Sequence, residues 1–120
     1  MNPIYPTQIQ KNAMKNLHTT GVIYVQGLSS NAFPASWLSE GITTFHTISE
    51  EVAGILAIYY EHLEDHRIDK RVMHHMAQAV TDANALSQSL YKMRKAVQAH
   101  YTAQMEQEKT GVAPLQAGRR

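Results

Sequence analysis

The chain has no cysteine among its 120 residues, and its six glycines are scattered. The first absence excludes a disulfide scaffold, a thiol nucleophile and a cysteine-ligated zinc site. The second leaves no glycine-rich phosphate loop, no dinucleotide-binding G-x-G-x-x-G motif and no G-x-S-x-G nucleophile elbow. Serine, histidine and aspartate are present, but no motif positions them as a triad. These absences predict a protein that is not an enzyme.

Signals for export and for membrane insertion are also lacking. Residues 1–10 have no basic flank followed by an apolar run, which a secretory signal needs. The longest strongly apolar stretch, residues 52–60, is about half of the ~20 residues that a membrane span requires. We therefore expect a cytoplasmic protein with no membrane partner, and the lack of cysteine fits a reducing compartment.

Neither sign of charge dominates the chain. Eleven lysines and arginines stand against 10 acidic residues, giving a formal net charge of +1. This balance argues against a dedicated binder of polyanions. With 43% hydrophobic and 18% charged residues the composition is that of a globular protein. The length predicts one helical domain, at residues 1–110, and a flexible tail at residues 111–120.

Helical periodicity is the clearest pattern that is present. Thr47 and Glu50 have the spacing of a capping box, which predicts a helix from about residue 47 to 66. Its apolar positions recur at steps of three and four and form a broad stripe: Ile48, Val52, Ile55, Leu56, Tyr59 and Leu63. Gly54 lies inside this helix, where glycine costs about 1 kcal/mol relative to alanine, and it predicts a close contact with another helix.

A longer helix is predicted from about residue 69 to 109. Apolar side chains alternate steps of four and three from Val72 to Val97, and no glycine or proline follows before Gly111. The link between the two helices has only a few residues, so they are expected to pair as an antiparallel hairpin. Acidic residues on the shorter helix and basic residues on the longer one favour that pairing. The predicted fold class is all-α.

The part of the chain before the hairpin is less regular. A short N-terminal helix is predicted from a cap at Thr7 to Gly21, followed by an aromatic-rich connector that contains Phe33 and Trp37. Residues 22–25 are the densest β-branched and aromatic cluster, which fits either a short strand or extended chain. The complete fold is then either a three-helix bundle or an intertwined dimer.

The longer helix is expected to extend roughly 20 residues past its partner, with an apolar stripe along that overhang. Uncovered apolar surface is an interaction surface by default. We predict an interface with another protein, including a second copy of this chain, at the following residues: Leu90, Met93, Val97, Tyr101, Met105, Trp37 and Phe33. The expected function is a non-enzymatic interaction module, a small regulator, antiactivator or chaperone-like adaptor that masks or bridges its partner. In size and shape, a small helical hairpin of this kind resembles bacterial or phage accessory proteins that sequester another protein.

Two other functions remain open at this stage. Lys92, Arg94 and Lys95 form the one basic cluster inside a helix, and a nucleic-acid accessory protein could use them to contact phosphates. Four histidines near the hairpin turn include a pair one helical turn apart, a spacing that two metal-binding imidazoles can use: His62, His66, His74 and His75. A metal site needs three or four converging ligands, so no metal and no cofactor is predicted.

Overall fold

The computed structural model describes residues 8–28 and 32–116. These residues form three helices and one pair of two-residue strands: α1 Gln8–Leu28, β1 Ala32–Phe33, α2 Ala35–Glu64, α3 Lys70–Glu108 and β2 Leu115–Gln116. The predicted all-helical fold is confirmed, and so is the hairpin, because α2 and α3 pack against each other. The molecule is elongated, with extents of 59 × 30 × 22 Å.

α3 begins and ends within a residue of the predicted bounds. Its N-cap is Asp69, whose carboxylate accepts a hydrogen bond from the backbone N–H of Arg71 at 2.8 Å. The Arg71 guanidinium donates to the same carboxylate at 3.2 Å, and this side-chain bond, with the backbone bond, holds the pKa of Asp69 below its usual value. Arg67, in the link before the cap, has a left-handed φ of 53° where the chain reverses.

α2 begins at Ala35, so the predicted start at a Thr47 capping box is wrong. Thr47 lies inside the helix, where its hydroxyl donates to the carbonyl of Thr43 at 3.0 Å. The first turn follows Pro34, whose backbone is extended, and the N–H of Ala35 is capped by the Glu108 carboxylate of α3. Because this capping residue is 73 positions away in the chain, the sequence around Ala35 carries no signal for the start of the helix.

The early start of α2 also removes the predicted overhang of the longer helix. Ala35 lies beside Glu108 in the last turn of α3, and His46 lies beside Arg94 near the middle. α2 therefore follows α3 almost to its end. Most of the segment predicted as an aromatic connector is the first part of this helix.

α1 is longer than predicted and contains the segment proposed as a strand. Gly21 does not end the helix, and residues 22–25 are helical. Tyr24 anchors α1 to α2, with its ring centroid 5.0 Å from that of Trp37 and 5.9 Å from that of Phe45. These ring contacts outweigh the weak β preference of the neighbouring valines, since strand propensity depends strongly on context.

The seam between α2 and α3 is made of small and polar side chains. Among the described residues the buried apolar ones are Ala35, Ala53 and Val97. Gly54 is not at this seam, because a Cβ placed there would meet nothing within 4 Å, and the predicted close contact is wrong. The glycines in close contact lie between α1 and α2: a Cβ at Gly27 would overlap the Trp37 indole, and one at Gly41 would stand 3.2 Å from Cδ1 of Tyr24.

The chain returns to the start of α2 after α3 ends. Gly111 has a φ of 96°, a conformation that glycine adopts easily, and the following residues run back past the helix end. β2 then pairs antiparallel with β1, with Leu115 opposite Phe33. Part of the predicted tail thus lies against the hairpin. The predicted cap at Thr7 and residues 117–120 of the tail lie outside the described residues.

Candidate functional site

An open groove runs between α2 and α3 on one side of the hairpin. We call it the hairpin groove; its volume is about 360 Å³ and it is lined by Phe45, Ile48, Ser49, Val52, Ala83, Leu86 and Leu90. The hydroxyl of Ser49 donates to the backbone carbonyl of His46 at 2.6 Å, so its hydrogen bond is made within α2. No charged side chain is among those lining residues, and the surface of the groove is mostly apolar.

The helices on either side of the groove expose large aliphatic side chains. Val52 and Leu86 line it and are about half exposed, and Ile55, one turn further along α2, is 64% exposed. The broad stripe on α2 is wider than the strip that α3 covers, which leaves this edge uncovered. Single exposed aliphatic residues are ordinary on protein surfaces, but contiguous ones mark interaction sites.

A second apolar surface adjoins the groove on α1. We call it the α1 cleft; its volume is about 370 Å³ and it is lined by Leu17, His18, Gly21, Val22, Val25, Gln26 and Phe45. Phe45 lines both the groove and the cleft, so the two surfaces are continuous. α1 touches α2 mainly through Tyr24, and Leu17 and Val22, which line the cleft, are 50% and 38% exposed.

His46 anchors a polar cluster within the hairpin. The imidazole is 5% exposed, with Nδ1 3.4 Å from a guanidinium nitrogen of Arg94 and Nε2 3.4 Å from the Glu50 carboxylate. Because a guanidinium only donates, Nδ1 accepts and Nε2–H donates to Glu50. The ring also packs against Tyr91, with centroids 5.6 Å apart. These contacts are satisfied within the fold, which makes the cluster a structural element of the hairpin.

A third cavity lies at the end of the hairpin where the strands pair. It has a volume of about 520 Å³ and includes Pro34, Ser36, Met105, Glu108 and Pro114 in its lining. Partial desolvation raises the pKa of Glu108, but the hydrogen bonds from the Ala35 N–H, the Gln104 amide and the Ser36 N–H outweigh it and leave the pKa below its usual value. This carboxylate already has its partners within the fold and is not a free group in the cavity.

The residues predicted as an interface do not form one surface. Val97 is 6% exposed and buried in the α2–α3 seam, whereas Met93 is about half exposed. Leu90 lines the hairpin groove, and Met105 lines the cavity at the hairpin end. The remaining three are partly buried at separate places: Tyr101 on α3, Trp37 under Tyr24, and Phe33 in β1.

The three residues of the basic cluster do not all lie on one face of α3. Arg94 turns to His46 at 3.4 Å, and Lys95 stands over the Tyr91 ring at 5.5 Å from its centroid. Lys92 is exposed, and it precedes Arg94 by two positions, which is about 200° around a helix. Lys92 and Lys95, three positions apart, share one face of α3, and Arg94 turns away from it, so the three cations do not form one basic surface.

The four histidines do not assemble a metal site. Within residues 8–28 and 32–116 no group of three or more histidine, aspartate or glutamate side chains is placed to hold a metal ion. His74 and His75 are exposed neighbours with ring centroids 5.7 Å apart, while His62 lies at the end of α2 and His66 in the link.

Sequence reasoning missed the residues that make the apolar surface continuous, above all Phe45, Val52 and Leu86. Val52 belongs to the apolar stripe on α2 and Leu86 to the heptad positions of the longer helix, but neither is among the predicted interface residues. The width of the apolar stripe on α2 could have indicated which residues stay uncovered. A single partner helix covers about two positions per heptad, and this stripe spans more than that.

No helix in the described part of the chain is both long enough and apolar enough to span a membrane. No protein-family model matches the chain, and neither the curated proteins nor the solved structures contain a match to it.

Proposed function

We propose that this protein is a non-enzymatic protein–protein interaction module that binds its partner, which includes a second copy of itself, through the hairpin groove and the α1 cleft. The observation that carries the proposal is the continuous apolar surface on three helices, joined at Phe45, with Val52 and Leu86 about half exposed. Covering such a surface contributes about 25 cal/mol for each Å² removed from water.

The role proposed for this binding is to mask or bridge a partner protein in the cytoplasm, as a regulator, antiactivator or chaperone-like adaptor does. Most of the side chains that line the groove and the cleft are aliphatic or aromatic, and no acidic, lysine or arginine residue is among them. This chemistry favours the apolar face of another helix as the ligand, a common mode of helix-in-groove recognition.

Photo-crosslinking in extracts of the native cell tests the proposal. Benzoylphenylalanine replaces Leu86 in the groove or, as a control, Ala99, which is exposed elsewhere on α3. We expect adducts with a protein partner from position 86 and none from position 99. Equal adduct formation at both positions, or none at position 86, would contradict the proposal.

A matched pair of variants adds a quantitative test. Val52→Gln with Leu86→Gln removes apolar area from the groove, whereas Ile58→Gln removes it about 120° around α2 from Val52. We expect at least a tenfold loss of partner recovery for the groove variant and little change for the control. Far-ultraviolet circular dichroism of both variants checks that the hairpin is intact, so that any loss is attributable to the surface.

A further inference from the structure

We infer that the first occupant of the hairpin groove is α1 of a second copy of this chain, in a two-fold dimer in which each α1 covers the groove of the other copy. The inference rests on the proposed function, since it names the partner of the same surface. Four observations support it: the weak attachment of α1 to its own hairpin, the charges of the helices, the continuity of the two apolar surfaces and the exposed area of one chain.

α1 is attached to its own hairpin near its C-terminal end. The Tyr24 hydroxyl lies 3.2 Å from Oε1 of Glu40 and 3.3 Å from Oγ1 of Thr44, and the Trp37 indole N–H donates to the carbonyl of Tyr24 at 3.4 Å. Two turns earlier on the same face, Leu17 is 50% exposed. The apolar edge of α1 therefore extends beyond what its own hairpin covers.

The charges of α1 and α2 are complementary. α1 contains Lys11 and Lys15 and no acidic residue, whereas α2 contains five glutamates and neither lysine nor arginine: Glu40, Glu50, Glu51, Glu61 and Glu64. α3 already covers one side of α2, and the groove side lies open beyond Phe45. A helix that carries lysines and no acidic residue is electrostatically favoured against the acidic α2, and α1 is such a helix.

The placement of the two surfaces suits a two-fold dimer. In a two-fold (isologous) interface both copies use the same patch. That patch must therefore contain both the inserted element and the groove that receives it. The α1 cleft and the hairpin groove satisfy this condition, because they share Phe45 and together form one patch. A two-fold axis beside Phe45 brings each α1 over the opposite groove.

The exposed surface of one chain is large enough for such an interface. A compact folded protein of this mass exposes about 6,500 Å². This chain exposes 9515 Å², and its radius of gyration of 19.2 Å exceeds the roughly 14 Å of a compact chain of its length. A standard interface removes about 800 Å² from each partner, well within the difference.

Light scattering on the purified full-length chain tests the mass. We expect twice the 13.5 kDa of one chain at micromolar concentration. Leu17→Gln and Leu86→Gln should each raise the dimer dissociation constant at least tenfold, while Ile23→Gln should leave it within about twofold. Ile23 and Leu17 are both 50% exposed on α1, but Ile23 does not line the cleft. A monomer for the unaltered chain overturns the inference.

Crosslinking between labelled copies decides which chain covers the groove. Benzoylphenylalanine at position 17 is placed in a ¹⁵N-labelled chain, which is mixed with an unlabelled one carrying no photoreactive group. We expect labelled α1 peptides joined to unlabelled peptides of α2 or α3. Adducts only within the labelled chain would mean that α1 closes on its own hairpin. A dimer whose dissociation constant is unchanged by Leu17→Gln would mean that the two grooves contact each other directly. Either result overturns the inference.

The two proposals fail separately. If the purified chain is monomeric but position 86 still crosslinks a different protein in extracts, only the inferred dimer is lost. If the chain dimerises as described and position 86 yields only adducts with itself, the dimer stands and the role in binding another partner is lost.

Discussion

The carboxylate of Glu108 accepts hydrogen bonds of 2.8 and 2.9 Å from the backbone N–H of Ala35, which lies 73 positions earlier in the chain. It thereby caps the first turn of α2 from the last turn of α3. A negative charge at a helix N-terminus is favourable, because the first N–H groups have no partner within the helix. One side chain thus joins the two ends of the hairpin.

Glu108→Gln should lower the melting temperature near neutral pH and should flatten its acid dependence. The pKa of Glu108 in the folded chain lies below its ordinary value of 4.5, so its stabilisation is complete above that value and is lost as the pH falls through the folded pKa. Thermal melts from about pH 7 to about pH 3 measure this. The melting temperatures of variant and unaltered chain should converge in acid.

The control for this prediction is Glu106→Gln. Glu106 lies two residues away and forms an exposed ion pair with Lys109 at 3.1 Å. Exposed pairs of this kind contribute little. A pH-independent difference for Glu108→Gln, or an equal effect of Glu106→Gln, would refute the assigned role.

Gly54→Ala should stabilise the protein by about 1 kcal/mol, because the site is helical and nothing lies within 4 Å of the new Cβ. Gly27→Ala should have the opposite sign, since a Cβ there collides with the Trp37 indole and pushes α1 from α2. Urea denaturation of the two variants measures the contrast. Stabilisation by Gly27→Ala would show that the contact between α1 and Trp37 is not as described.

Val97→Ala should reduce the free energy of unfolding by about 1.5–2 kcal/mol, because Val97 is buried in the seam and loses two methyl groups. Met93→Ala, one turn earlier and about half exposed, removes more atoms but should cost less than about 1 kcal/mol. Chemical denaturation of both variants gives the order of the two effects. The reverse order would place Met93 in the seam.

His46→Ala should cost about 2–3 kcal/mol, since it opens a cavity beside Tyr91 and removes the acceptor that Arg94 uses. His46→Leu keeps most of the volume and should recover about half of that loss. Equilibrium unfolding of the two variants separates packing from hydrogen bonding. If His46→Leu recovers nothing, the hydrogen bonds dominate and the packing argument fails.

The parts of this fold that the sequence predicts are those that depend on residues close together in the chain. The heptads from Val72 to Val97 and the Asp69 cap are contiguous in sequence, and α3 matches its predicted bounds closely. The start of α2 depends on Glu108, and the helicity of residues 22–25 depends on Tyr24 meeting Trp37. Such long-range contacts have no local signature, so both features were missed.

An uncovered apolar surface was predictable from the sequence, but its position on the molecule was not. An uncovered apolar stripe was expected on an overhang of α3, and the structure has no such overhang. Leu90 is the one predicted interface residue that lines the hairpin groove. The remaining groove residues required knowledge of which edge of α2 faces α3, and a 3.6-residue period alone does not fix that angle.

Small side chains along the α2–α3 seam have a consequence for how the hairpin is held in register. Within the described residues no large side chain is fully buried, so few interlocking knobs oppose a slide of one helix past the other by one turn, about 5.4 Å. The short link at one end and the bond from Glu108 to Ala35 at the other prevent that slide. The alignment of the two helices is thus held at both ends, and the contact between Arg94 and His46 near the middle adds a third fixed point.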